Sequence, residues 1–334
     1  MKGHPAWYGA VMGTGAVALA LSVQAVTWEA DWLLWIARGF LVLGSVLAVG
    51  LLPRYAGRLK TRADLAHELS DPAHGAMLAT LPAGLLILAT AWGRVGWQPI
   101  GLWVDLFLLI VGTVVAVVLG AAWSAAMLRE PKGLEGVNGG WLIPPVMNLI
   151  VPLALAPLIP HAGRAALVLV LVGFAFYGIG LILFVAMLTL LVARLALRDP
   201  LPAPMAPSLW IPLAPAGVMG LALLQLLRAA TQAGLPGYGV TAGVVVSAMG
   251  LGFGLWWTGF AWMELRRLRK AGGPPRHPGW WGFVFPVAAM VLSLATTAVV
   301  TDTPALKAIG AAATVGLMGV WGLVALRTVG MLKA

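Results

Sequence analysis

The chain has 334 residues, 61% of them hydrophobic and 10% charged, with a mean hydropathy of +0.95. Soluble domains carry about 25% charged residues, so this sequence lacks the side chains to cover a water-facing surface; a soluble enzyme, a disordered chain and a collagen-like chain are excluded. The net charge of +10 is better explained by basic loops at a membrane surface than by nucleic acid, and the absence of cysteine excludes disulfides, thiolate metal sites and thiol redox chemistry.

Apolar runs long enough to cross roughly 30 Å of hydrocarbon fall at 6–26, 32–52, 74–92, 100–127 and 141–160, then at 165–193, 207–227, 239–263, 280–300 and 305–328. They predict ten transmembrane helices, because backbone left unpaired in lipid is too costly and the runs lack the alternation of barrel strands. Val23-Gln24-Ala25 resembles a signal-peptide cleavage site, but the first run joins the repeat described below and is read as retained. Of the 21 Lys and Arg, sixteen fall at the termini and in the loops after even-numbered spans. Four (Arg94, Arg164, Arg228 and Lys307) fall on the opposite side, and Arg38 lies inside the second span. This asymmetry predicts a multi-pass cell-membrane protein with both termini cytoplasmic; its surroundings are the lipid bilayer, and nucleic acid is not needed to explain the charge.

Interior prolines fall on the odd-numbered spans: Pro82 in the third, Pro144, Pro145, Pro152 and Pro157 in the fifth, Pro212 and Pro215 in the seventh, and Pro286 in the ninth. The first span has Gly13-Thr14-Gly15 at the corresponding depth, and the even-numbered spans have no interior proline. Pro5, Pro72, Pro144, Pro215 and Pro286 are 67, 72, 71 and 71 residues apart. This period predicts five helical hairpins of about 70 residues in one transport domain, 1–334. A mid-helix proline removes a hydrogen bond and kinks the helix, and in hydrocarbon the freed carbonyls must be buried or line a wet cavity. The expected fold is therefore an all-α membrane protein in quasi-fivefold arrangement, its kinked odd helices inside around a central pore and its even helices outside. Kinks that merely improve helix packing are the alternative.

The odd spans as bounded above contain no charged or histidine side chain in their interiors. The residues expected to line the pore are Gly13, Thr14, Gly15, Thr80, Pro82, Pro145, Asn148, Pro152, Pro215, Pro286, Ala289, Ser293 and Thr297. Phe285, Ala289, Ser293 and Thr297 recur every four residues, predicting a stripe with a phenyl ring at the kink and hydroxyls beyond it. Such a ring can close a pore sterically and by dewetting; packing against a neighbouring helix is the other reading. A lining without carboxylates disfavours cations, whereas hydroxyls, amides and freed backbone N–H groups can hold anions. Arg38 and Asp105 share a depth in two outer helices and are expected to form a structural ion pair.

Several of these segments resemble the tellurite-resistance/dicarboxylate transporter family, which includes bacterial TehA, fungal malic acid and sulfite transporters, and plant slow anion channels. Pro5-Ala6-Trp7-Tyr8-Gly9-Ala10-Val11-Met12-Gly13-Thr14-Gly15 is similar to the family's Trp-Phe…Met-Gly-Thr-Gly first helix, with Tyr8 in place of Phe. Trp141-Leu142-Ile143-Pro144-Pro145-Val146 resembles the start of the fifth helix, and Pro207-Ser208-Leu209-Trp210-Ile211 followed by Pro215 resembles the seventh. Trp280-Trp281-Gly282-Phe283-Val284-Phe285-Pro286 is similar to the ninth, where the family places a pore-occluding phenylalanine. The resemblance implies ten helices around a quasi-fivefold pore, a homotrimer, and a gate at Phe285. Met147-Asn148-Leu149 departs from the small or apolar residues usual in relatives.

The expected function is an anion channel or facilitator with no covalent chemistry, no catalytic residue, no cofactor and no metal. Its solutes would be small inorganic or dicarboxylate anions such as malate, sulfite, nitrate, chloride or tellurite-like oxyanions. A proton-coupled secondary transporter or exporter of dicarboxylate or sulfite is the runner-up and needs a titratable group at the midplane. A membrane haem oxidoreductase is a distant third, because His4, His67, His74, His161 and His277 all sit in loops or at helix ends.

Overall fold

The computed structural model describes residues 4–72, 74–129, 133–235, 237, 239–270 and 277–333. Among them the chain is helical throughout, with α1 (Tyr8–Thr27), α2 (Asp31–Ala56), α3 (Arg62–Ser70), α4 (Thr80–Val95), α5 (Ile100–Arg129) and α6 (Ile143–Leu155) in the first half. The second half holds α7 (Ala166–Leu197), α8 (Leu213–Gln232), α9 (Thr241–Lys270), α10 (Val284–Val300) and α11 (Pro304–Lys333). Nine helical stretches among the described residues are long and apolar enough to cross a membrane. The tenth expected span is shorter: Gly139–Leu155 is helical and apolar, and α6 stops two residues before Pro157, which has no N–H for the next helical bond. The polar helix α3 lies between α2 and α4 and opens with a capping box in which Thr61 Oγ1 accepts from Asp64 N–H and the Asp64 carboxylate accepts from Thr61 N–H.

Burial divides the long helices into two sets. In the most apolar stretch of α1, α4, α8 and α10, between 72 and 89% of residues are buried, and every residue of α6 is buried. The corresponding share in α2, α5, α7, α9 and α11 is 22–28%. The exposed sides of this second set carry large apolar groups such as Val46, Ile182, Leu255 and Leu326, as lipid-facing helices do. α1 packs against α4 and α10, α4 against α6, α6 against α8, and α8 against α10, so the contacts among the buried helices close on themselves. Each buried helix also pairs with the exposed helix that follows it. The buried helices therefore start, and the exposed ones end, on one side, where Arg54, Arg129, Arg194 and Arg266 lie; Arg94, Arg164, Arg228 and Lys307 lie on the other. Lys2, Lys132 and Arg276 of the predicted basic side lie outside the described residues.

Contrary to the mid-helix kinks expected from the sequence, most prolines of the buried helices lie at their starts. Each buried α-helix is preceded by a 3-10 segment: Pro5–Trp7, Gly75–Ala79, Gly139–Leu142, Ala203–Trp210 and Pro278–Phe283. Pro82, Pro145, Pro215 and Pro286 each occupy the third residue of the α-helix that follows, and Ala10 has that place in α1. The first N–H groups of an α-helix have no partner within it, so proline loses little there. Pro5 and Pro72 instead precede the α-helices by several residues, so the sequence period mixed two structural positions. Only Pro152 lies deep in a buried α-helix, and α2 continues through Pro53, so the exposed set is not wholly free of interior proline either.

Candidate functional site

Among the described residues, three cavities each take their lining from several of the buried helices. The first, about 770 Å³, lies at their N-terminal ends and takes residues from all five repeats, among them Gly9, Thr80, Val146, Ala214 and Phe285. The second, about 520 Å³, is also lined by all five, including Leu19, Thr90, Leu153, Leu221 and Phe285. Phe285 is the one residue common to both linings. It is the second residue of α10 and 3% exposed, and the matching positions of the other buried helices hold Gly9, Leu81, Pro144 and Ala214. The large ring therefore comes from one repeat alone.

The third cavity is an open vestibule of about 2450 Å³ at the C-terminal ends of the buried helices. It shares Ser22, Val23, Arg94, Gln225 and Thr296 with the second cavity. Arg94 is exposed to this space, and α4 runs to Val95, three residues beyond the predicted end of the span. The expectation of an inner set free of charge therefore fails at Arg94, and Arg228 in α8 lines the same vestibule.

Of the predicted lining residues, Thr80 and Pro286 face the first cavity and Ala289 the second. Below Phe285 and Ala289, the cavity-facing residues of α10 are Leu292 and Thr296 rather than Ser293 and Thr297. A step of four residues overshoots a full helical turn by about 40°, so a four-residue stripe drifts off a straight path while a 4-3-4 spacing follows it. Ser293 Oγ and Thr297 Oγ1 are buried and without hydrogen-bond partners. Gly13 and Gly15 are packing positions against Val284 and Ile87. Thr14 Oγ1 accepts from Trp321 Nε1 at 3.0 Å, tying α1 to α11. Asn148 Nδ2 donates to Pro144 O at 2.8 Å within α6. Pro82, Pro145, Pro152 and Pro215 line none of the three cavities.

The expected Arg38–Asp105 ion pair does not form. Arg38 Nε donates to Val95 O at 3.2 Å, and its guanidinium lies over the rings of Trp35 and Trp97 at 4.9 and 5.2 Å. Asp105 is fully buried against Gly93 of α4, with neither carboxylate oxygen hydrogen-bonded. Sequence depth placed the two charges at one level but not on facing sides of their helices.

At the first cavity's mouth, histidines from three repeats meet. The ring of His4 is edge-on to His74 and His277, with centroids 5.2 and 4.8 Å apart. His4 Nδ1 accepts from Ala6 N–H at 3.2 Å and His277 Nδ1 from Gly279 N–H at 3.0 Å, each opening a 3-10 segment; Asn138 Oδ1 does the same for Gly140 N–H at 2.8 Å. His74 Nδ1 is 3.1 Å from Asp71 Oδ2. Burial, then the neighbouring charges of His277, His74 and Arg58, pushes His4 down to about 3, and burial also lowers His277. Histidine or asparagine stands before four of the five apolar runs (His4, His74, Asn138 and His277), with Pro202 in that place in the fourth repeat, and this recurrence is the sequence signal for the cluster.

Residues 2–329 match the family described as voltage-dependent anion channels (SLAC1). The chain is 29% identical over 313 residues to an uncharacterized transporter of Methanocaldococcus jannaschii, covering 86% of this chain and 82% of the relative. It is 30% identical over 324 residues to the sulfite efflux pump SSU1 of Arthroderma otae, covering 88% and 80%. The sulfite efflux pump SSU1 of Trichophyton rubrum is 28% identical over 323 residues, with coverage of 88% and 80%.

Proposed function

The chain belongs to the voltage-dependent anion channel (SLAC1) family, and from that premise we propose that it is a channel or facilitator passing small anions along the axis of its five buried helices. The reading rests on one observation above the rest: two cavities, each lined by all five buried helices, have only Phe285 in common. In this reading the five hairpins surround a pore, the basic side is cytoplasmic with both termini there, and Phe285 is the gate. An apolar ring across a narrow passage excludes ions by filling it and by keeping water out. Transport of this kind makes and breaks no covalent bond. The assembly implied by the resemblance is a homotrimer, which crosslinking in native membranes tests.

Reconstituted in liposomes, the protein is expected to dissipate gradients of sulfite, nitrate or chloride, and Phe285→Ala to raise that flux about tenfold or more, as removal of a steric and dewetting barrier of about 1.4 kcal/mol or more requires. Unchanged flux from a folded Phe285→Ala protein would remove the ring from the gate. Accumulation of anion above equilibrium only under an imposed pH gradient would instead identify a proton-coupled transporter.

A further inference from the structure

The passage from the second cavity to the vestibule has a composition unlike the rest of the axis. Arg94, Gln225 and Thr296 come from α4, α8 and α10, and Ser22 comes from α1. Counted from the third residue of each helix, Ser22 and Arg94 are twelve residues on and Gln225 and Thr296 ten residues on. At 1.5 Å per residue these depths agree within about 3 Å, so the four side chains form one level. Ser22 Oγ donates to Leu19 O at 2.7 Å. Among the described residues, the Arg94 guanidinium, the Gln225 amide and the Thr296 hydroxyl make no hydrogen bond and no acid lies within ion-pair distance of Arg94, although the buried Asp105 of α5 and Arg228 of α8 both act on its charge. Glu29 and Asp31 line the wider vestibule beyond, and neither borders the second cavity.

Building on the reading above, we infer that this level is a binding site for a small oxyanion, and that it selects oxyanions over halides. A guanidinium presents parallel N–H groups that match two oxygens of one anion. The Gln225 amide and Thr296 hydroxyl approach from other helices and can donate to a third oxygen. A halide offers a single centre and cannot engage the fork and the two neutral donors with the same geometry. The open vestibule keeps the site hydrated on one side, which suits a site that must release what it binds.

The test uses the full chain in planar bilayers, with sulfite on one side, chloride on the other, and the reversal potential as readout. The wild type is expected to favour sulfite. Arg94→Lys, which keeps the charge and removes the fork, should lower the sulfite-to-chloride permeability ratio about tenfold, as loss of a charge-assisted bond implies; Gln225→Leu should lower it by less. A wild type without preference, or a ratio unchanged in both variants, overturns the inference. Phe285→Ala on the Arg94→Lys background separates the two readings: increased flux with an unchanged ratio leaves the pore standing and removes the site, whereas no increase in flux counts against the pore itself.

Discussion

At the residue scale, the small side chains of the buried helices serve close approach. A Cβ on Gly13 would sit 2.7 and 2.8 Å from Val284 Cγ1 and Cβ, and one on Gly217 would sit 2.5 and 2.6 Å from the carbonyl carbon and oxygen of Ala289. Both glycines press against α10, but the obstacles differ. Gly13→Ala should lower the melting temperature in detergent by the equivalent of about 1–3 kcal/mol, and Val284→Ala should recover part of the loss. Gly217→Ala should cost more and find no such rescue, because its obstacle is backbone. Equal rescue at both positions would show that α10 shifts as a body. The sequence pattern places Gly13 among the lining residues; its true neighbour, Val284, depends on how α1 is turned toward α10, which no local pattern records.

At the scale of the element, the recurring unit is a 3-10 segment running into an α-helix. The apolar runs and their alternation in proline content are visible in the sequence, and burial follows that alternation. The place of the switch from 3-10 to α is not visible, because the two differ in hydrogen-bond register and not in composition. Prolines therefore read as mid-helix kinks when four of them mark a first turn. The caps of these segments give a test. His277→Ala removes the acceptor for Gly279 N–H and should destabilise the protein by about 1 kcal/mol, while His277→Asn, which supplies the oxygen seen at Asn138, should stay near wild type. Melting temperatures of the two variants side by side decide this; equal losses would mean that ring contact with His4, and not the cap, is what His277 contributes.

For the whole molecule, the histidine cluster couples stability to acidity. An unfolded histidine titrates near 6.5, and His4 in the fold is pushed down to about 3 by burial and by the charges of His277, His74 and Arg58. Between these values the unfolded chain holds a proton that the folded chain lacks, so stability is fully present above about pH 6.5 and declines as the pH falls toward 3. His277 acts in the same direction, while Asp71 beside His74 and Glu68 paired with Arg58 are the nearby acids. The melting temperature should drop between about pH 7.5 and about pH 5, and His4→Asn, which keeps an acceptor for Ala6 N–H, should reduce that drop. An identical drop in the variant would assign it elsewhere. The proposed gate was legible because a phenylalanine directly before a proline stands out in an apolar run. The level of Arg94, Gln225 and Thr296 was not, because it arises from nearly matching depths in three helices and from their rotation about their own axes. Five repeats nevertheless contribute a single shared residue, one aromatic ring, to the linings of the first two cavities. A gate of the proposed kind has a single moving part in each pore, so the current through each pore should switch between two levels, and a trimer should show only equal multiples of that step, without the graded substates that five independently moving rings would generate.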